Sequence, residues 1–424
     1  MSSDSSSSTF VNPLTHNNAH GKLLKCINNI NSKLFAIARQ NPVTDQTAHA
    51  PLGILLGLLP TISATHGRAL EQGIDFLSLN DKEEVFELLL LADYLKQNLK
   101  TIKITNGTFI QQGVNVKIDF KNMMNSLGVV EEVNFGDAEP TRQHINKFIE
   151  DATNGGNKEA IPQGIINALT VMILNNCLLY EGEWVNKFPE SRNGYFGCQN
   201  GNYKIVEVMM SAGEIDCRHH TIYKDGKDQD GNDIKIEDSE CFEFPLANGH
   251  WFGVFFMNTD FDYEQPDDGY YYNEKGRRCK KEKKDEEPEV KKPELTLPPL
   301  VINEYIDKMV PDKYHVTMPM FQQKISLKLK DILILLGFTD IFSSETANLS
   351  GISDNKLFVQ EILHDVNIKV DKKGVVASSS TTTFNGNEAL KKSKKSVQIN
   401  HTFYWWIRDE QFNVPSFSGI YDGK

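Results

Sequence analysis

The 424-residue chain is short of cysteine, and the six it has are scattered: Cys26, Cys177, Cys198, Cys217, Cys241 and Cys279. No CxxC pair and no Cys/His metal spacing occurs, so isolated reduced thiols are expected rather than a disulfide framework. Positive charge is not in excess. The net charge of -12 argues against nonspecific nucleic-acid binding as the main task. No stretch is apolar for long enough to span a bilayer. Residues 52–62 come nearest, but glycines and Pro60 interrupt them and they read as a buried core helix. The first residues carry no apolar core of a leader, so no signal peptide is expected. Internal repeats are missing. HExxH, G-x-S-x-G, P-loop and G-x-G-x-x-G patterns are missing too, so neither an enzyme nor a bound cofactor or metal is expected. His16 and His20 stand four apart in a polar tail with no third ligand nearby.

What is present is an ordinary globular composition, 39% hydrophobic and 24% charged. Residues 1–20 are Ser/Asn-rich and expected to be a disordered tail. Leu23, Ile27, Ile30, Leu34 and Ile37 recur at helical spacing and predict a first helix. Residues 51–59 open a second, buried helix. Helices are also expected over 65–73 and 83–99, and a strand over 101–112. Thr141 is placed to cap a helix with Ile145, Phe148, Ile149 and Ala152 on one face, which Gly155 and Gly156 would stop. The nearly continuous apolar run 171–180 marks a strand buried on both faces. Further strands are expected over 206–210, 241–245, 251–257 and 314–321, then a helix over 327–336 closed by Gly337. The chain ends in two strands, 403–408 and 414–420.

Two stretches depart from this pattern. Residues 260–299 shift to Tyr, Lys, Glu and Pro, and read as a solvated insertion. Its basic run, residues 277–284, could serve as a polyanion or nuclear-import patch, but the acids that follow neutralise much of it. The second stretch is 367–400. Ile368 and Val370 alternate with polar residues as in a half-buried strand, and Gly374 is a backbone hinge. Residues 375–383 are all small or β-branched. A lysine cluster at 391–395 follows. Composition alone reads this as a Ser/Thr-rich surface loop; the alternative is a segment exposed in one state and a strand in another.

Residues Gly374-Val-Val-Ala-Ser-Ser-Ser-Thr381 resemble the hinge and proximal reactive-centre loop of the serpin family. The resemblance extends from about Leu23 to Gly419. Asn176, Tyr180, Gly182 and Trp184 match the family's Asn-Ala-x-x-Phe-x-Gly-x-Trp motif. Phe342 and Leu349-Ser-Gly351 match its Phe-Ser and Leu-Ser-Gly segment, and Phe417-Ser-Gly419 its Phe-x-Gly ending. The resemblance implies an α+β serpin fold of three sheets and about nine helices, a single domain over 21–424, with a reactive-centre loop at about 372–396.

It further implies a suicide-substrate inhibitor. A serine protease attacks the loop and forms an acyl-enzyme, and the cleaved loop enters the central sheet as a new strand. In the family this insertion is a form of strand addition that releases stored strain. The hinge residues would be Lys372, Gly374, Val375, Val376, Ala377, Ser378, Ser379, Ser380 and Thr381. The sheet-opening region would hold Asn176, Trp184 and His364. The reactive bond would lie among Lys391, Lys392 and Ser393, giving a trypsin-like target; Glu388–Ala389 is the alternative on loop length. Gly374 to Lys391 is seventeen residues, roughly 55 Å when extended. The active form would be a monomer with no nucleic-acid partner. Its place would be extracellular or at the cell surface, with the cytoplasm as alternative. A non-inhibitory serpin acting as chaperone or carrier is the alternative function. It is disfavoured because 375–383 holds no bulky, charged or proline residue.

The chain departs from the family in four places. Lys372 stands where an acid is usual, and Met320 where its basic partner is usual. Ala50 and Gly53 replace serines beneath the sheet. Val375 and Val376 replace Thr-Glu. The loop is about three residues longer than the family's. Sequons occur at Asn106, Asn348 and Asn400, the first and last of them expected on strands.

Overall fold

The computed structural model describes residues 18–40, 48–99, 101–155, 158–198, 203–227, 233–257, 270–272, 278–280, 302–376 and 395–423. Among these, eight α-helices and three β-sheets form an α+β fold. The organising strand is Met172–Tyr180, whose nine residues are all buried. Side chains alternate across a strand, and here the two sets serve two different layers. Met172, Leu174, Leu178 and Tyr180 join the main core, with the helix Pro51–Ser63. Ile173 and Cys177 join a second cluster under the helix Ala138–Ala152. A strand roofed on both faces has no use for polar alternation, which is why this segment reads as one apolar run.

Pro51–Ser63 is helical because Pro51 occupies the first turn, where a missing N–H costs nothing. Twelve of its thirteen residues are buried, so it is apolar all round. Ala138–Ala152 is amphipathic instead. Ile145, Ile149 and Ala152 sit against Phe109, Ile173, Cys177 and Leu363, and Phe148 meets Phe109 edge-on at 5.3 Å.

The central sheet runs Val129–Val133, Ile102–Gln111, Met172–Tyr180, Glu361–Asp371, with Phe321–Lys328 on the far side of Glu361–Asp371. Met172–Tyr180 and Glu361–Asp371 are parallel and paired from Ile173↔Glu361 to Leu178↔Val366. Above that point they part. The short strands Gly182–Glu183 and Gly374–Val376 lie in the gap between them. A nine-stranded sheet built around Tyr203–Lys227, Asp233–Leu246, His250–Met257 and Phe403–Asp409 packs against the rest.

Several local expectations are corrected. The first helix is Ala19–Gln40, and His20 bonds to the carbonyl of Phe412. Thr141 is not a cap. The helix starts a turn earlier at Ala138, and the Thr141 hydroxyl donates to Asn134 O at 2.6 Å. Asp137 stands at the cap position, but its carboxylate accepts from the Asn134 amide and makes no side-chain cap. The strands expected over 206–210 and 241–245 are parts of Tyr203–Lys227 and Asp233–Leu246, which form a long hairpin with polar flanks. The strand expected over 314–321 is two. Val310–Pro319 belongs to the large sheet and Phe321–Lys328 to the central one, with Met320 at the crossover. Helix 65–73 is Arg68–Leu77. Helix 327–336 is Leu329–Leu335, with Gly337 at φ +91 closing it. Asn106 lies on a strand as expected, but Asn400 follows the strand Ser396–Gln398. No described helix is long and apolar enough to cross a membrane.

Candidate functional site

The strand Glu361–Asp371 does not run straight into the loop. Asp371-Lys372-Lys373-Gly374 is a two-residue hairpin turn, and Gly374–Val376 folds back antiparallel on its parent strand. The pairs are Asp371↔Gly374, Val370↔Val375 and Lys369↔Val376. On the other side Gly374 faces Glu183 and Val375 faces Gly182. Asp at the first and Gly at the fourth position is an ordinary turn signature. Asp371 Oδ1 also accepts the Lys373 N–H at 2.9 Å, an Asx turn.

Trp184 holds this turn from the side. Its backbone N–H donates to Lys373 O at 3.0 Å, and its indole N–H to Asp371 O at 2.7 Å. The ring is fixed edge-on against Phe188 at 5.3 Å and Phe252 at 5.6 Å. Gly374 is required by space. A Cβ there would stand 2.0 Å from Gly182 O and 2.7 Å from Glu183 Cα. Val375 is fully buried in the main core. Lys372 is half-buried in the turn and Lys373 exposed.

Lower in the sheet, three strands contribute one polar residue each. His364, Asn176 and Asn106 are mutually in register and all buried. The N–H of Ala50, at the start of Pro51–Ser63, donates to His364 Nε2 at 2.9 Å. That nitrogen is therefore an acceptor, and Nδ1–H donates to Asn176 Oδ1 at 2.7 Å. Asn176 Nδ2 donates to Asn106 Oδ1 at 2.6 Å, and Asn106 Nδ2 to Leu127 O at 2.9 Å. Burial pushes His364 down to about 3, so the ring is neutral at pH 7. The Ala50 and Gly53 replacements are explained here. The backbone of Ala50 supplies the donor. At Gly53 a Cβ would lie 2.1 Å from Leu178 Cδ1 and 2.6 Å from Asn176 Oδ1, so neighbouring side chains have taken the serine's room.

Past the loop the chain re-enters as Ser396–Gln398, parallel to Val310–Pro319. Lys395 is anchored just before it. Its ammonium donates to both Asp312 oxygens, at 2.8 and 2.9 Å, and lies over the Tyr314 ring at 5.5 Å. This bond holds Lys395 above the usual lysine value and Asp312 below the usual carboxylate range. Ala377, Ser378, Ser379, Ser380, Thr381, Lys391, Lys392 and Ser393 lie outside the described residues, as does most of the 260–299 insertion.

The structure thus brings Lys372, Gly374, Val375, Val376 and Trp184 together in one turn, and Asn176 with His364 in one hydrogen-bond row. Sequence reasoning missed three participants. Asn106 was hidden in an apolar strand pattern. Asp371 was legible in the D-x-x-G turn signal. Lys395 paired with Asp312 is a contact across 83 positions that no local pattern announces.

The family model for Serpin (serine protease inhibitor) matches residues 26–225 and 284–422. Neuroserpin of Gallus gallus is 24% identical over 386 residues, 87% of this chain and 84% of the relative. Leukocyte elastase inhibitor of Xenopus tropicalis is 23% identical over 403 residues, 92% of this chain and 96% of the relative. A solved structure of thyroxine-binding globulin in complex with thyroxine superposes with a TM-score of 0.71 at 16% identity, covering 93% of this chain and 98% of that one. The family match covers well over half of the chain on both sides of one gap, and the chain belongs to the serpin family.

Proposed function

We propose that the chain is a suicide-substrate inhibitor of trypsin-like serine proteases. One observation carries this reading: Gly374–Val376, the root of the loop, already pairs as a strand between Glu361–Asp371 and Gly182–Glu183. A cleaved loop can extend a strand whose first residues are in register. The residues that would follow, 377–383, are small or β-branched and suit a strand in a crowded sheet. Insertion would add a ladder of backbone bonds and bury apolar area, so the intact form would be held kinetically.

The reactive bond is proposed at Lys391–Lys392 or Lys392–Ser393. A trypsin-like pocket takes a cation on its buried carboxylate. Lys395 is the less suited lysine of the cluster, because it is already paired with Asp312. Incubation with trypsin tests the reading. An SDS-stable complex, with a released C-terminal fragment beginning at Lys392 or Ser393, supports it. A fragment beginning at Ala389, or turnover without complex, contradicts it and leaves the chaperone or carrier reading.

A further inference from the structure

Resting on that reading, we propose that Asp371 is a positioning residue for trapping: it sets the hinge into the central sheet before any protease arrives. Four observations converge on it. Its Oδ1 accepts the Lys373 N–H at 2.9 Å and closes the turn. Its Oδ2 meets Lys369 Nζ at 3.1 Å, tying the turn to its own strand. Its carbonyl accepts the Trp184 indole N–H at 2.7 Å. The residue that the turn delivers into the sheet, Val375, is fully buried.

This arrangement has two consequences. The first rungs of the inserted strand are in place, so insertion after cleavage starts from an existing hairpin and needs no nucleation step. Docking also takes Gly374–Val376, three residues, out of the loop, which matches the about three extra residues that the family resemblance gives it. The lengthening and the docked hinge offset one another. Valines at 375 and 376 fit the same account, because an apolar residue at 375 favours a docked hinge and a polar one would not.

The test compares the full chain with Asp371→Ala, Asp371→Asn and Asp371→Glu, using two readouts. In the first, hydrogen exchange of the peptide holding Gly374–Val376 should be slow in the parent and roughly fivefold faster in Asp371→Ala, as expected for loss of one turn-closing bond. Asn keeps a side-chain acceptor at the same reach and should restore protection. Glu keeps the charge but moves it outward and should not. Gly374→Ala should mimic Asp371→Ala, because its Cβ cannot pass Gly182 O. In the second readout, the number of chains consumed per trypsin trapped should rise in Asp371→Ala and return to the parent value in Asp371→Asn. Equal exchange in parent and Asp371→Ala overturns the role of Asp371 in docking the hinge, and fast exchange in the parent overturns the docked hinge itself. Altered exchange with an unchanged trapping ratio, or in a parent that traps no trypsin, leaves Asp371 a turn former only and overturns its role in trapping. The last of these also defeats the inhibitor reading, and the exchange data stand apart from it.

Discussion

His364 donates from Nδ1 to Asn176 Oδ1 at 2.7 Å only because its Nε2 is occupied by the Ala50 N–H at 2.9 Å. The imidazole is thus locked as a neutral tautomer between a helix start and the central sheet. His49, one residue before Ala50, is buried as well and bonds Asn31 Oδ1 at 2.7 Å. Burial pushes both rings from 6.5 down to about 3. Unfolded, they take up protons near 6.5; folded, they resist until about 3. The unfolded state then binds more protons between these limits, so stability is full above pH 6.5 and falls as pH drops towards 3. By pH 5 the loss should be about 2 kcal/mol for each ring. Urea midpoints measured from pH 7.5 to 5 check this, and His364→Gln should flatten the profile by its share.

Asn176→Ala removes the middle of the row. It leaves the His364 N–H and the Asn106 carbonyl oxygen buried without partners. The expected loss is about 3 kcal/mol, a sum of two such penalties, read as a lower urea midpoint at unchanged slope.

The fold was legible in the sequence where one pattern dominates: Leu23, Ile27, Ile30 and Leu34 on one helix face, or the nearly continuous apolar run that became Met172–Tyr180. It was illegible where tertiary structure overrode local pattern. Nothing around Met320 announces that the chain leaves one sheet for another there. The polar tip of the long hairpin, around 223–227 and 233–237, hides how far its strands extend, since there neither face is covered by core. Of the site, Asn176, Trp184 and His364 came from motif resemblance. Their hydrogen-bond partners did not: the bonds to Ala50 and Asn106 come from packing between distant segments, and the D-x-x-G signal at Asp371 marks a turn without announcing the Trp184 that holds it.

Gly53→Ser, which restores a usual family residue, should destabilise this chain. The new Cβ would fall against Leu178 and Asn176. A shift of a packed strand should cost about 1–3 kcal/mol, measured by thermal unfolding.

Tyr180→Phe should do the opposite. The Tyr180 hydroxyl is buried without a partner beside Gly182. Burial pushes its ionisation far above the usual phenol value. Removing it relieves a desolvated polar group and should raise stability by about 1 kcal/mol. A decrease would show instead that this hydroxyl is hydrogen-bonded in the folded chain.

On the proposed inhibitory reading, Ala377→Arg should leave the fold intact and turn the chain from an inhibitor into a substrate. An inserted arginine at that register must be buried, costing several kcal/mol if unpaired. Insertion then loses to deacylation. Trypsin assays should show cleavage without complex.

The central claim is that the loop completes the strand that Gly374–Val376 begins. Cutting the loop with a protease that is not trapped, then comparing melting temperatures of cut and intact chain, tests it most directly. The account predicts a sharp rise on cutting, because the freed segment adds a full strand of hydrogen bonds to the central sheet. A cut chain that melts at the same temperature as the intact one, or below it, would contradict the claim.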